Sequence, residues 1–144
     1  MLSKHRNPIA GLILTALVVL PYSANAAVSN PAPVYLQPGT YYNYQFTIQR
    51  ADGMGFARTG NMRLRFSSDN IISGTYTYET VGLPTIPVTG GRTANEFWID
   101  MGSSTMSLLH VSGVIHPDGS LEGYAFTSRR ANPIFNFKAV MVKR

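Results

Sequence analysis

The chain has 144 residues, a formal net charge of +5 and no cysteine. This length suits one ordinary domain and is too short for two comfortable ones. The absence of cysteine excludes disulfides, thiolate zinc sites, thiol catalysis and a lipid-modified cysteine, and the scattered basic residues lack the dense Lys/Arg stripe expected of a nucleic-acid-binding protein.

The first 26 residues are predicted to be a secretory signal peptide. Lys4 and Arg6 precede an apolar run over 9–20, and Ala24-Asn25-Ala26 supplies the small residues that a signal peptidase needs. The run is shorter than the roughly 20 residues that span a bilayer, so we expect cleavage between Ala26 and Ala27 and no stable membrane insertion afterwards. The protein is then periplasmic or secreted. A cleavable signal on a chain without cysteine is typical of a bacterial envelope protein.

Residues 27–39 are predicted to form an N-terminal arm. Pro31, Pro33 and Pro38 exclude a regular helix and a central strand, which leaves an extended segment. The folded domain is expected to cover residues 40–144.

From residue 41 onwards, apolar and polar residues alternate with a period of two, which predicts half-buried β-strands. The clearest segments are Tyr41–Gln49, Asn61–Ser67, Ile71–Thr80, Glu96–Met101, Leu108–Ile115, Ser120–Thr127 and Ile134–Val142. Leu83–Arg92 holds Pro84 and Pro87 and is predicted to be at best an edge strand within a long connection. His116-Pro117-Asp118-Gly119 is a turn signal between two of the strands.

About eight short strands without a helical pattern predict an all-β fold, and we favour a small antiparallel meander barrel over a β-sandwich. Gly74, Gly113 and Gly123 lie inside strands, where glycine favours the sharp coiling of a small closed sheet. A membrane-spanning barrel needs an apolar outer face. Charged residues such as Arg63 and Glu96 occupy that face, so a soluble barrel is expected.

Ile72-Ser73-Gly74-Thr75-Tyr76, the later Thr89-Gly90, and Gly113 with Gly123 resemble segments of avidin-type barrels. The resemblance implies a secreted eight-stranded meander, of avidin-like or lipocalin-like architecture, that binds a small ligand at the barrel mouth. The family's ligand cup depends on several tryptophans, whereas this chain has only Trp98. The resemblance therefore implies architecture and leaves biotin binding unsupported.

The sequence offers no catalytic, cofactor or metal motif. A nucleophilic triad needs a histidine, and the chain beyond the signal has only His110, in a strand, and His116, in a turn. Glu96 and Asp100 share a strand face about 13 Å apart, beyond the separation of glycosidase carboxylates. A cavity-based enzyme that uses tyrosine and His110 remains an alternative if His110 points into a pocket beside an acid.

One candidate site is the barrel interior. Inward-facing aromatic residues are expected to form the core or, alternatively, to line a cavity for a small apolar or aromatic ligand. The residues of this cavity hypothesis are Tyr42, Tyr44, Phe66, Tyr76 and Tyr78.

The other candidate site is a surface for a protein partner. Met54 and Phe56 lie between glycines at a predicted hairpin tip, where exposed apolar residues suit partner binding. The basic residues of this surface hypothesis are Arg63, Arg65, Arg129 and Arg130. The sequence thus predicts an exported soluble binding protein without catalysis, and its ligand or partner stays open. An inhibitor of an envelope-targeting enzyme is a further alternative.

Overall fold

A computed structural model describes residues 35–80, 82–102, 108–127 and 130–142. The predicted signal peptide, residues 27–34 of the arm and Arg129 lie outside these ranges. Within them, no helix is long and apolar enough to cross a membrane.

The described residues form eight antiparallel strands, each paired with the next along the chain, and the last pairs with the first to close a barrel. In chain order the strands are β1 (Tyr41–Arg50), β2 (Arg58–Phe66), β3 (Ile71–Tyr78), β4 (Ile86–Thr93), β5 (Glu96–Met101), β6 (Leu109–Ile115), β7 (Leu121–Thr127) and β8 (Arg130–Met141). The predicted meander barrel is confirmed, and the alternative of a sandwich is wrong.

Strand β4 differs from the prediction, because it pairs along its length with both β3 and β5 and is not an edge strand. Pro87 is tolerated because it lies at the start of the strand. Its carbonyl accepts the N–H of Gly102 at 3.1 Å, and the nitrogen of a strand residue faces the same side as its carbonyl. The missing N–H of Pro87 therefore faces β5 where that pairing is only beginning, and costs little.

Alternation places one face of every strand inside the barrel. In β1, for example, Tyr44, Phe46 and Ile48 are buried while Asn43 and Gln45 are exposed. Many core side chains have no exposed surface at all, among them Phe46, Leu64, Phe66, Ile72, Ile99, Met101 and Leu121. A cavity large enough to hold a water molecule would give the side chains around it some accessible surface, and these have none. Their neighbours therefore fill the middle of the barrel at the density of an ordinary protein core.

The two ends of the barrel are built differently. One end carries the short turns after β2, β4 and β6, and the segment before β1 contacts it through Leu36 and Gly39. There Leu36 is buried, and Gly39 donates its N–H to the Phe66 carbonyl at 2.8 Å. Strands β1, β3, β5 and β7 end at the other end. We call these the arm end and the loop end.

Candidate functional site

The residues of the cavity hypothesis do not meet around one open space. Tyr44, Phe66 and Tyr76 are buried in the core. Tyr42 lies towards the arm end, where its hydroxyl accepts the Gln37 N–H at 2.8 Å. Tyr78 lies towards the loop end, with its ring 5.4 Å from that of Tyr76. The three buried members are at most 5% exposed and offer almost no surface to a ligand. The two half-buried members lie at opposite ends.

Two of the buried tyrosines are held in the neutral form. Burial raises the pKa of Tyr44, and the neighbouring Tyr42 adds to this effect. The Tyr44 hydroxyl donates a hydrogen bond to the Gly119 carbonyl at 3.1 Å, which ties β1 to the turn between β6 and β7. Burial also raises the pKa of Tyr76. Both phenols therefore stay protonated to a higher pH than an exposed tyrosine does.

The β1–β2 loop, residues 51–57, presents two apolar side chains to solvent. Phe56 is 100% exposed and Met54 is 65% exposed. The prediction that they lie at a hairpin tip agrees with the strand bounds, since the loop joins Arg50 to Arg58. An aromatic side chain with no contact surface contributes nothing to the core, so the fold does not explain Phe56.

Asp52 stabilises the conformation of this loop through two hydrogen-bonded contacts. Its carboxylate accepts a hydrogen bond and ion pair from Arg50 at 2.6 Å and also accepts the Met54 N–H at 3.0 Å. The Arg50 hydrogen bond is the main reason that the pKa of Asp52 is lowered. Gly53 and Gly55 adopt φ values of +73° and +83°, which favour glycine. The loop thus holds Met54 and Phe56 outward by its own hydrogen bonds and backbone. Sequence reasoning missed this role of Asp52, although an Asp-Gly pair is a turn signal.

Two of the four basic residues of the surface hypothesis, Arg63 and Arg65, lie away from the loop. Arg63 and Arg65 face outward from β2, but Arg65 lies seven residues, about 23 Å, beyond the start of the strand at Arg58. Arg63 lies over the Tyr41 ring at 4.3 Å, and Arg65 donates to the Gly39 carbonyl at 3.3 Å. Both therefore belong to the arm end. Arg130 begins β8.

His110 fulfils only one condition of the enzyme alternative. Its Nδ1 lies 2.5 Å from an Asp100 carboxylate oxygen, so an acid is within hydrogen-bond reach. Its side chain, however, faces outward from β6, between the inward-facing Leu109 and Val111, and packs against the exposed Phe126 ring at 5.2 Å. The pair belongs to the outer wall and does not open into the interior. Among the described residues, no group of three or more metal-ligating side chains comes together.

The outer wall of β6, β7, β8 and β1 carries a groove of about 760 Å³ that sequence reasoning missed. The outward-facing residues that line it are Thr47, Gln49, Val114, His116, Glu122, Tyr124, Asn136 and Lys138. An apolar hollow of about 530 Å³ adjoins it, lined by Ala51, Ser112, Tyr124, Phe126 and Ile134. Tyr124 lines both. The available signal was the presence of aromatic residues at strand positions that alternation assigns to solvent, namely Trp98, Tyr124 and Phe126.

Comparisons with known proteins assign no family to the chain. No family model matches the chain, and no match is found among curated proteins. A solved structure that the chain resembles is rhizavidin, with 14% sequence identity and a TM-score of 0.44 over 74% of this chain and 87% of rhizavidin. The closed eight-stranded meander itself is the architecture that the resemblance to avidin-type barrels implies. No ligand is carried over from rhizavidin.

Proposed function

We propose that the protein is an exported, soluble β-barrel that captures a protein partner through the β1–β2 loop and performs no chemistry. The observation that carries this proposal is the complete exposure of Phe56 beside the exposed Met54 on a loop that Asp52 braces. Rigid, exposed aromatic residues are the usual anchors of protein interfaces, because they bury a large area at a small entropic cost.

The filled interior supports surface binding over the alternative of a small ligand inside the barrel. Tyr44 and Phe66 are 1% and 0% exposed, so a ligand there would have to displace core side chains. A displacement of that kind costs several kcal/mol of packing. The loop tip needs no such rearrangement. Export rests on the basic, apolar and Ala-x-Ala segments of the first 26 residues.

Photo-crosslinking tests the proposal. Phe56 is replaced by a benzophenone-bearing phenylalanine in the full chain, expressed with its signal segment and irradiated in intact cells. We expect one discrete crosslinked protein that Met54→Ala diminishes. The matched control carries the same group at Ile71, which is 55% exposed in β3 at the arm end. Equal products from both positions, or no product from position 56, would contradict the proposal.

A further inference from the structure

The strand register aligns five outward-facing residues around the outer wall. Trp98 of β5 pairs with Ser112 of β6, Ser112 with Tyr124 of β7, Tyr124 with Asn136 of β8, and Asn136 with Gln49 of β1. All five are exposed. We call Trp98, Ser112, Tyr124, Asn136 and Gln49 the wall row.

The two aromatic members of the wall row are open platforms. Trp98 is 50% exposed and Tyr124 is 62% exposed. The indole of Trp98 lies over Gly91, where a Cβ atom would come within 2.4 Å of the ring. The indole therefore packs against the backbone of Gly91, where any side chain would displace it. Side chains of this kind stack against flat apolar faces of a ligand.

The three other members of the row offer hydrogen bonds without charge. The hydroxyl of Ser112 and the amides of Asn136 and Gln49 each carry donors and acceptors. Beside the row, Glu122 is paired with His116 at 2.9 Å, and Lys138 lies opposite Glu122 in the register. The row itself therefore suits a neutral ligand rich in hydroxyl groups better than a phosphate or a charged peptide.

Closure of the barrel also argues against an extended peptide. A peptide that adds to a sheet needs an edge strand with unpaired backbone groups. Strands β5 to β8 are each paired on both sides. Whatever binds the wall row must therefore be held by side chains alone.

We propose that the wall row and the groove beside it bind a linear oligosaccharide of pyranose rings. A pyranose presents an apolar C–H face for stacking and hydroxyl groups at its rim, which matches aromatic platforms separated by small polar side chains. Trp98 and Tyr124 are two strands apart, about 10 Å at the backbone and further at the rings, because the wall is convex. That span exceeds a single sugar, so the ligand reaches from Trp98 across Ser112 to Tyr124 and into the groove. The site adjoins the β1–β2 loop at Gln49, but Met54 and Phe56, which carry the proposed function, do not line it.

Trp98 is the only tryptophan in the chain, so its fluorescence reports directly on the row. The probes are chitohexaose and cellohexaose, with N-acetylglucosamine and glucose as length controls. We expect at least one hexasaccharide to change the emission of the mature protein saturably. The corresponding monosaccharide should bind at least about tenfold more weakly, because it reaches one platform only.

Variants separate stacking at the row from nonspecific binding. Tyr124→Ala should weaken hexasaccharide binding about tenfold, whereas Tyr124→Phe, which keeps the ring, should retain it. The matched control is Tyr41→Ala, which removes another exposed tyrosine, 41% exposed, from the far end of β1. Calorimetry of Trp98→Ala supplies a reading that does not depend on fluorescence and should show the same loss.

Several results would overturn the proposal. These are no response to either hexasaccharide, equal responses to the monosaccharides, or equal losses in Tyr41→Ala and Tyr124→Ala. A Trp98 emission that depends on protein concentration, together with a dimer in sedimentation, would instead assign the row to contact between two copies of the chain. None of these results bears on crosslinking at position 56, so the two proposals fail independently.

Discussion

Gly113 of β6 and Gly123 of β7 lie directly opposite each other in the barrel wall. A Cβ atom on Gly113 would come within 2.0 Å of the Glu122 carbonyl oxygen, and one on Gly123 within 2.1 Å of the Ser112 carbonyl oxygen. The two backbones therefore approach so closely here that neither position has room for a side chain. This close approach lies beneath the groove on the outer wall, which both glycines help to line.

Alanine at either of these positions should destabilise the barrel strongly. The contacting atoms are backbone, which cannot move aside without breaking the ladder, so Gly123→Ala should lower the free energy of unfolding by about 3 kcal/mol or more. Urea denaturation measures this loss. Gly53→Ala is the comparison, because nothing lies within 4 Å of its added Cβ and only its φ of +73° is unfavourable. We expect about 1 kcal/mol there, and equal losses at both positions would contradict the close approach.

Because the Tyr44 hydroxyl is buried and hydrogen-bonded, we expect the free energy of unfolding to fall at alkaline pH. Tyr44→Phe removes the hydrogen bond to Gly119 and should cost about 1–2 kcal/mol near neutral pH. Because the folded protein raises the pKa of Tyr44 above its ordinary value of 10.0, the unfolded chain loses this proton first. Its stabilising contribution is complete below pH 10.0 and is lost as the pH rises beyond that value.

Urea unfolding at a series of pH values from about 8 to 11 tests this sign. Above pH 10.0 the wild type should lose stability more steeply than Tyr44→Phe, so that the two curves converge. Tyr124→Phe, which removes an exposed hydroxyl, is the control and should follow the wild type. Parallel curves for wild type and Tyr44→Phe would show that this hydroxyl does not contribute to alkaline unfolding.

Local alternation was sufficient to predict the strands and their inner faces. In β1 and β2, buried residues such as Phe46 and Leu64 occupy the predicted apolar positions, because burial of one face enforces a period of two. Pairing of β4 on both sides was not predictable from its prolines. Closure depends on the register summed over all strands, which no single segment encodes.

The candidate sites show the same limit. The exposure of Phe56 follows from residues within its own loop, chiefly Asp52 and the glycines, and the sequence pointed to it. The separation of Arg65 from that loop depends on strand length. The wall row depends on four successive registers that bring residues as distant as Gln49 and Trp98 into line. Such alignment can be known only when the pairing of every intervening strand is known.

Export predicts a defined mature terminus. Intact-mass analysis of protein from the envelope fraction should show a chain that begins at Ala27, since Ala24 and Ala26 present small residues to the peptidase. Ala26→Arg should block the cut and leave the full-length chain associated with the inner membrane. Asn25→Gln, between the two alanines, is the matched control and should be processed normally. A full-length Ala26→Arg chain found free in the cytoplasm, together with uncut wild type, would contradict export.

Substitution of two phenylalanines tests both the filled core and the exposed binding loop. Phe66 is 0% exposed and packs edge-on against Tyr42 at 6.0 Å, whereas Phe56 is 100% exposed. Phe66→Ala should lower the free energy of unfolding by about 3–5 kcal/mol, because it leaves a cavity in a packed interior. Phe56→Ala should change it by less than about 0.5 kcal/mol and should still reduce capture of the partner. Urea denaturation measures the stability of both variants. Co-purification from envelope extract measures partner capture by Phe56→Ala. A large stability loss in Phe56→Ala would show that this side chain packs against the barrel and is not a free anchor.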